Sequence, residues 1–417
     1  MTIISNIIRQ HAEEVAFLWF IRDRAVGRPD FNISDLASLD CRINVNIDGL
    51  NIAGDDGWVI SKEVLNFNEA GDFFTTAVCA LNAGNMSQID SLMNSVNEDP
   101  VIFRGIISAF GWLSYSKIEK ILKSLFVSES TFLVKTYIAV LDIHRHDPGR
   151  ILNEGIISKD ATLKERTLKA VGELGKTEFA PSLQDFFEAD DEKCRFYAAW
   201  SSGLLGSTAG VPVLQALGET EGPYAERACV AALRRIGVAE GIQWQRALAG
   251  KEKFQRMAVI GAGAIGDPVL IPWLIEHMAV PELARVAGES FSMITGVDLA
   301  YEDLEGEWPE GFEAGPTENP EDEDVEMDPD EDLPWPEHAL IQDWWHKNKT
   351  NFKSGVRHLC GKPITEQQCQ HVLRYGYQRQ RAAAAMELAM LRPGQPLFNV
   401  EAPGWRQQKL LGLKSHL

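Results

Sequence analysis

Five segments between Thr162 and Gly296 lie under one another: ERTLKAVGELG, RFYAAWSSGLLG, RACVAALRRIG, RMAVIGAGAIG and RVAGESFSMITG. Each opens at or near an arginine: Arg166, Arg195, Arg227, Arg256 and Arg285. Each closes on an aliphatic residue followed at once, or one residue later, by glycine. The arginines stand 29, 32, 29 and 29 residues apart. A period of this length with a helical pattern inside it predicts an α-solenoid. One helix pair cannot bury its own apolar face, so neighbouring pairs must stack.

Within each segment the apolar residues fall at helical spacing, as at Met257, Ile260, Ala264 and Ile265. The closing glycine is read as the C′ residue, where the left-handed conformation costs glycine nothing. Pro181, Pro212 and Pro272 each follow their glycine by six residues. Proline there fits the first turn of a second helix. The pattern resembles the short bacterial HEAT repeats, also called phycobilin-lyase-type. Weaker repeats are read further back: Gly71–Val96, Val101–Val127 and Phe132–Ile157, with Ala80, Ala109 and Ala139 in step.

The expected fold is therefore all-α: a solenoid of seven or eight HEAT-like helix pairs. Residues 1–67 read as a helical N-terminal cap, with a helix over IISNIIRQHAEEVAFLWFIRDRAV and a second from Asp35 to Gly49. In that second stretch INVNI alternates and also fits a strand. Residues 68–297 are the repeat array, 298–337 an acidic Pro/Gly-rich strap or linker, and 338–417 a basic helical module. In the module, helices are predicted over Ala339–Lys349, Thr365–Arg374 and Gln378–Leu391.

The net charge of −20 is unevenly spread. Asp298–Glu337 holds eighteen acids and no Lys or Arg, whereas His346–Leu417 holds twelve Lys/Arg against three Glu. An acidic, proline-rich run buries too little apolar surface to offset ordering entropy, so it should be extended or disordered by itself. Trp308 and Trp335 near its ends suggest that it lies against something. The six cysteines are scattered and read as free thiols. The N-terminus lacks a basic n-region, and no run approaches the ~18–20 apolar residues that span a bilayer. The expectation is a cytoplasmic protein without membrane contact.

Four motifs invite a sharper reading. Gly261-Ala-Gly263-Ala-Ile-Gly266 matches a dinucleotide fingerprint, but it sits inside a repeat helix with no βαβ unit around it, so helix packing is the favoured reading. The arginine column fits either an anion-binding face or ties between repeats. His144, His146 and Asp147 are candidate metal ligands without a second cluster, so no metal is assigned. Arg374, Arg379 and Arg381 beside Tyr375 and Tyr377 form the one candidate nucleic-acid patch, and pairing with acids is preferred there. No nucleophile elbow or catalytic-looking cysteine is present. No cofactor is expected.

The stretches HAEEVAFLWFIRDRAV, LDCRINVNIDGL, ITGVDLAYEDLEGEWPEGFEAGPTENPEDEDVEMDPDEDLPWP and RQRAAAAMELAMLRPGQPLFNVEAPGWRQQKLL carry a more specific resemblance. The chain is similar, over nearly its whole length, to a proteobacterial HEAT-repeat family of unknown function often encoded near type VI secretion genes. The resemblance implies a secretion-associated accessory role and supplies no catalytic residue. It also implies that the acidic segment is an ordered strap or a binding element. The expected function is a non-enzymatic protein-binding scaffold or adaptor, with a secretion effector or apparatus component as partner. The alternative is a HEAT-type nucleic-acid-binding protein or enzyme using the basic C-terminal region. A third reading has the strap mimicking nucleic acid or occupying the protein's own basic groove. The residues chosen for partner contact are Arg195, Arg227, Arg256 and Arg285 on the repeats and Trp308, Trp335, Trp344 and Trp345 near the strap.

Overall fold

The computed structural model describes residues 4–64, 69–95, 99–125, 130–315 and 327–414. The described residues are all-α apart from one two-stranded ribbon, His358–Leu359 with Lys362–Pro363, and an isolated antiparallel bridge between Glu305 and Pro336. The first ten helices are α1 Ser5–Ala25, α2 Ile33–Ala53, α3 Asp55–Val64, α4 Ala70–Ala83, α5 Met86–Ser95, α6 Pro100–Trp112, α7 Tyr115–Leu125, α8 Thr131–Ile143, α9 Ile151–Ile156 and α10 Ala161–Glu173. Then come α11 Ala180–Leu183, α12 Glu192–Leu204, α13 Val211–Gly218, α14 Ala225–Arg235, α15 Val238–Ala249, α16 Gln255–Ile265, α17 Ile271–His277 and α18 Pro281–Thr295. After the acidic segment follow α19 His338–Asn348, α20 Glu366–Tyr375, α21 Gln378–Leu391 and α22 Gly404–Leu410.

Helix starts follow local chemistry. Asp99, Asp160 and Asp191 cap α6, α10 and α12 by accepting from Val101 N, Leu163 N and Cys194 N. Pro212 and Pro272 sit in the first turns of α13 and α17. Left-handed glycines close α16 and α18 at Gly266 and Gly296, and Gly175 and Gly206 also have positive φ. Gly237 breaks the expected pattern. Its φ is −65°, and it is the N-cap of α15, because the next helix starts at once and leaves no room for a left-handed turn. INVNI is helical within α2: Ile43 and Ile47 are buried and Val45 is 62% exposed, a spacing of four rather than two. Gly49, expected to end that helix, lies inside it. The dinucleotide-like glycines sit inside and at the end of α16, where Gly261 faces Leu233 and Gly263 lies against Ser290.

The chain divides into two compact units. One comprises Met1–Gly27, Phe31–Phe179 and Gly394–Leu417, the other Arg28–Asp30 and Ala180–Pro393. In the first unit α4 packs between α1 and α6, α6 against α8, and α8 against α10. Trp19, Phe74 and Trp112 form its aromatic centre, with ring centroids 5.6 and 5.4 Å apart. Small residues permit the close crossings: a Cβ on Gly71 would lie 2.5 Å from Ala16 O. In the second unit α12 packs on α14, α14 on α16, and α16 on α18.

Within each unit, a C-terminal segment seals helix C-termini. In the first, Leu397 N donates to Glu173 O (2.8 Å), Arg145 Nε to Leu397 O (2.7 Å), Asn399 Nδ2 to Ile143 O (3.0 Å) and Arg406 Nη2 to Leu113 O (2.7 Å). In the second, His358 N donates to Gly266 O (2.7 Å) and Cys360 N to Met293 O (2.9 Å). Arg357 donates there to Arg234 O, Ile265 O and Ala264 O. Glu387 of α21 accepts from Arg234 Nη1 at 2.9 Å and Arg357 Nη2 at 2.5 Å. The last-turn carbonyls, orphaned in a free helix, thus find partners.

Candidate functional site

The candidate site lies in the second unit, where two arginines of the column meet the acidic segment. Arg256 stands in the first turn of α16 and Arg285 near the start of α18, and these helices pack together. Arg256 holds Asp330 in a two-pronged pair, Nη1–Oδ2 2.7 Å and Nη2–Oδ1 2.6 Å. Arg285 Nη1 donates to Asp330 O (2.8 Å) and pairs with Asp328 Oδ2 (2.7 Å). Asp330 N donates to Asp328 Oδ1 at 2.9 Å, so Asp328-Pro329-Asp330 is folded into a turn that offers both carboxylates one way. Paired planar groups of this kind are short and charge-assisted.

The lid of the site is aromatic. The Arg285 guanidinium carbon lies 4.8 Å from the Trp308 ring centre and 5.5 Å from that of Trp335. Trp308, Phe312 and Trp335 pack on one another at 5.2–5.6 Å. Gly306 N donates to Trp335 O and Glu337 N to Leu304 O, both at 2.8 Å. Those bonds zip the two ends of the acidic segment together. The described ends of the segment, expected over 298–337 to be extended or disordered by itself, are turns and short extended stretches bonded to each other; residues 316–326 lie outside the described residues. Arg285 is buried, with 4% of its side chain exposed. The Asp330 hydrogen bonds raise Arg256 above its ordinary value. Burial pushes Asp328 up, but hydrogen bonds from Arg285 and Asp330 N outweigh it and leave its carboxyl below the usual range. Beside the site, burial raises Glu289, with Arg379 opposing.

Of the eight residues chosen from the sequence, Arg256, Arg285, Trp308 and Trp335 come together. The others go elsewhere. Arg195 Nη1 donates to Ala189 O (2.6 Å) and Asp190 O (2.9 Å). Arg227 lies 4.8 Å over the Phe196 ring of α12. Trp344 packs edge-on against Phe291, and Trp345 against Phe352. Asp328 and Asp330 were not singled out, because DPDED reads as one more stretch of an acidic run. A column of arginines facing a segment with no basic residue was the available signal.

The other tempting motifs have internal partners. His144 is half-buried with Nε2 3.0 Å from Phe110 O, and His146 stacks on Tyr115 at 3.7 Å. No group of three metal-ligating side chains occurs among the described residues. In the basic region Arg381 is fully buried and donates to Leu373 O at 2.8 Å, Arg374 donates to Gln370 O, and Tyr377 Oη donates to Asp298 Oδ2 at 2.6 Å. The six cysteines are free. Among the described residues, no helix is long and apolar enough to cross a membrane.

Fold and site thus define an all-α protein with an arginine site occupied by its own acidic segment. No family model, curated protein or solved structure matches the chain.

Proposed function

We propose that the chain is an α-solenoid of HEAT-like pairs that works as a non-enzymatic, cytoplasmic protein-binding scaffold, and that Arg256 and Arg285 receive acidic segments of its partners. One observation carries this reading: an Asp-Pro-Asp turn of the chain itself sits on the two arginines under an aromatic lid, and an acidic segment of a partner would meet the same chemistry. The serial packing of α12, α14, α16 and α18 supports the stacked-pair architecture. The family resemblance directs the search for partners to effectors and apparatus components of type VI secretion.

The test is affinity capture from a proteobacterium that encodes the chain, with mass-spectrometric identification. Wild type should recover a defined partner, Arg256→Glu with Arg285→Glu should lose it, and Asp328→Asn with Asp330→Asn should recover more. Equal recovery by all three, or nothing above background, sinks the reading.

A further inference from the structure

The first unit carries a groove that its own core leaves open. It runs between α1 and α6 over the start of α4 and has a volume of about 630 Å³. Phe17, Phe20 and Val101 form its walls and are 60%, 48% and 53% exposed. Large side chains this exposed and this close together mark an interaction surface rather than scattered apolar residues. The close crossing of α1 and α4 at Gly71 and Ala16 makes the floor.

Charge settles what fits. Glu13 and Glu69 line the groove and have no ion-pair partner among the described residues. Asp72, at its floor, accepts from Glu69 N at 3.2 Å and is buried. Arg104 is held by Asp23 at 2.7 Å, and Arg24 lies over the Phe20 ring. Unpaired charge in the groove is therefore negative and sits at the Glu13–Glu69 end. Glu13, Phe17 and Phe20 follow one another on one face of α1. From Glu13 to Asp23 that face extends roughly 15 Å, about three helical turns.

We infer that this groove is a docking site for a cationic amphipathic helix of a partner protein, with an apolar stripe on Phe17, Phe20 and Val101 and a Lys or Arg at the end that meets Glu13 and Glu69. Helix-in-groove recognition reads such a stripe at i, i+3, i+4 and i+7. The site is separate from the arginine site and stands on different residues.

The test titrates the full chain with a fluorescein-labelled Leu/Lys peptide about four helical turns long, an isomer of the same composition with leucines dispersed, and a Leu/Glu counterpart. The Leu/Lys amphipathic peptide should bind 1:1, and the isomer and the Leu/Glu peptide at least about tenfold more weakly. Phe17→Ser with Val101→Ser should weaken binding by about tenfold or more, since buried aromatic anchors dominate such interfaces. Glu13→Gln with Glu69→Gln should weaken it less and flatten its salt dependence. All four positions are exposed, and unchanged circular dichroism and Tm check that the variants fold. Equal binding of the isomer, or undiminished binding by the Phe17→Ser/Val101→Ser variant, overturns the proposal. So does a dimer in sedimentation that the same variant abolishes, because the occupant is then a second copy. The arginine-site variants should leave this binding unchanged, so failure here and failure of the scaffold reading are told apart.

Discussion

Arg166 in the first unit and Arg256 and Arg285 in the second all pair with acids, but the acids come from different places. In the first unit Arg166 pairs with Asp142, a buried residue of the neighbouring helix α8, and stands 3.6 Å from Glu173 of its own helix. In the second, Arg256 and Arg285 pair with acids 74 and 43 residues ahead, in the acidic segment. The first arrangement is part of the repeat. The second depends on a segment that can be altered while the helices remain. The contrast teaches that arginines recurring at one sequence spacing need not have one role: Arg166 ties neighbouring helices together, whereas Arg256 and Arg285 hold the acidic segment.

The C-terminal segments differ in the same way, and this gives the largest expected effect. In the second unit Glu387 neutralises Arg234, with 5% of its side chain exposed, and Arg357. Glu387→Ala strands buried guanidinium charge and should cost about 4 kcal/mol, as broken buried pairs do. In the first unit Arg406 bonds backbone carbonyls instead, and Arg406→Ala should cost about 1–2 kcal/mol. Denaturant unfolding of both variants checks the order; equal costs would break the comparison.

Asp328→Asn with Asp330→Asn should cost about 2–3 kcal/mol, because Arg285 is buried but keeps its aromatic neighbours and the Asp330 carbonyl. Hydrogen exchange should loosen in α16, α18 and 327–337 while α8 and α10 stay protected. Asp142→Asn should do the reverse. Exchange that rises everywhere in either variant would mean the sites are not local.

Gly266→Ala against Gly84→Ala sharpens the case for a docked C-terminal segment. Both glycines have positive φ, 73° and 63°. A Cβ at Gly266 would lie 2.5 Å from His358 O, whereas one at Gly84 meets nothing within 4 Å. Gly84→Ala should cost about 1 kcal/mol, the left-handed penalty alone. Gly266→Ala should cost roughly 2 kcal/mol more, since backbone must move. Equal values in thermal unfolding would remove the close approach as a reason for that glycine.

These glycines also show what could be read in the sequence and what could not. Positive φ at a helix end is a local demand, so Gly175, Gly206, Gly266 and Gly296 were legible as C-caps. Their second reason is contact with chain far away, such as Gly175 against Gln395 or Gly296 against Cys360. Periodicity carries no signal for that. The helix α21 was read with its bounds because alanines end at Arg392-Pro393-Gly394. INVNI stayed open between helix and strand because alternation over five residues fits both periods, and only the packing of α2 on α1 decides for the helix. The arginines Arg256 and Arg285 and the tryptophans Trp308 and Trp335 of the candidate site were legible in the sequence. Its acids were not, since composition cannot pick two aspartates out of eighteen acids.

The smallest effect comes from the first unit's C-terminal contact and depends on pH. His144 accepts at Nδ1 from Arg406 (3.5 Å) and donates from Nε2 to Phe110 O (3.0 Å), which fixes it neutral. Burial, then the Arg406 charge, lowers its pKa from 6.5 to about 4. The folded state therefore binds fewer protons than the unfolded state between these values, and stability falls as pH drops from 6.5 toward 4. At pH 5.5 the loss relative to pH 7.5 should be about 1.4 kcal/mol. His144→Gln keeps a donor and an acceptor but does not titrate, so the difference between wild type and variant should shrink the acid slope by that amount. Parallel stability–pH curves for the two proteins would show that His144 is not held neutral, and that the Arg406 contact does not set the acid limit of this unit.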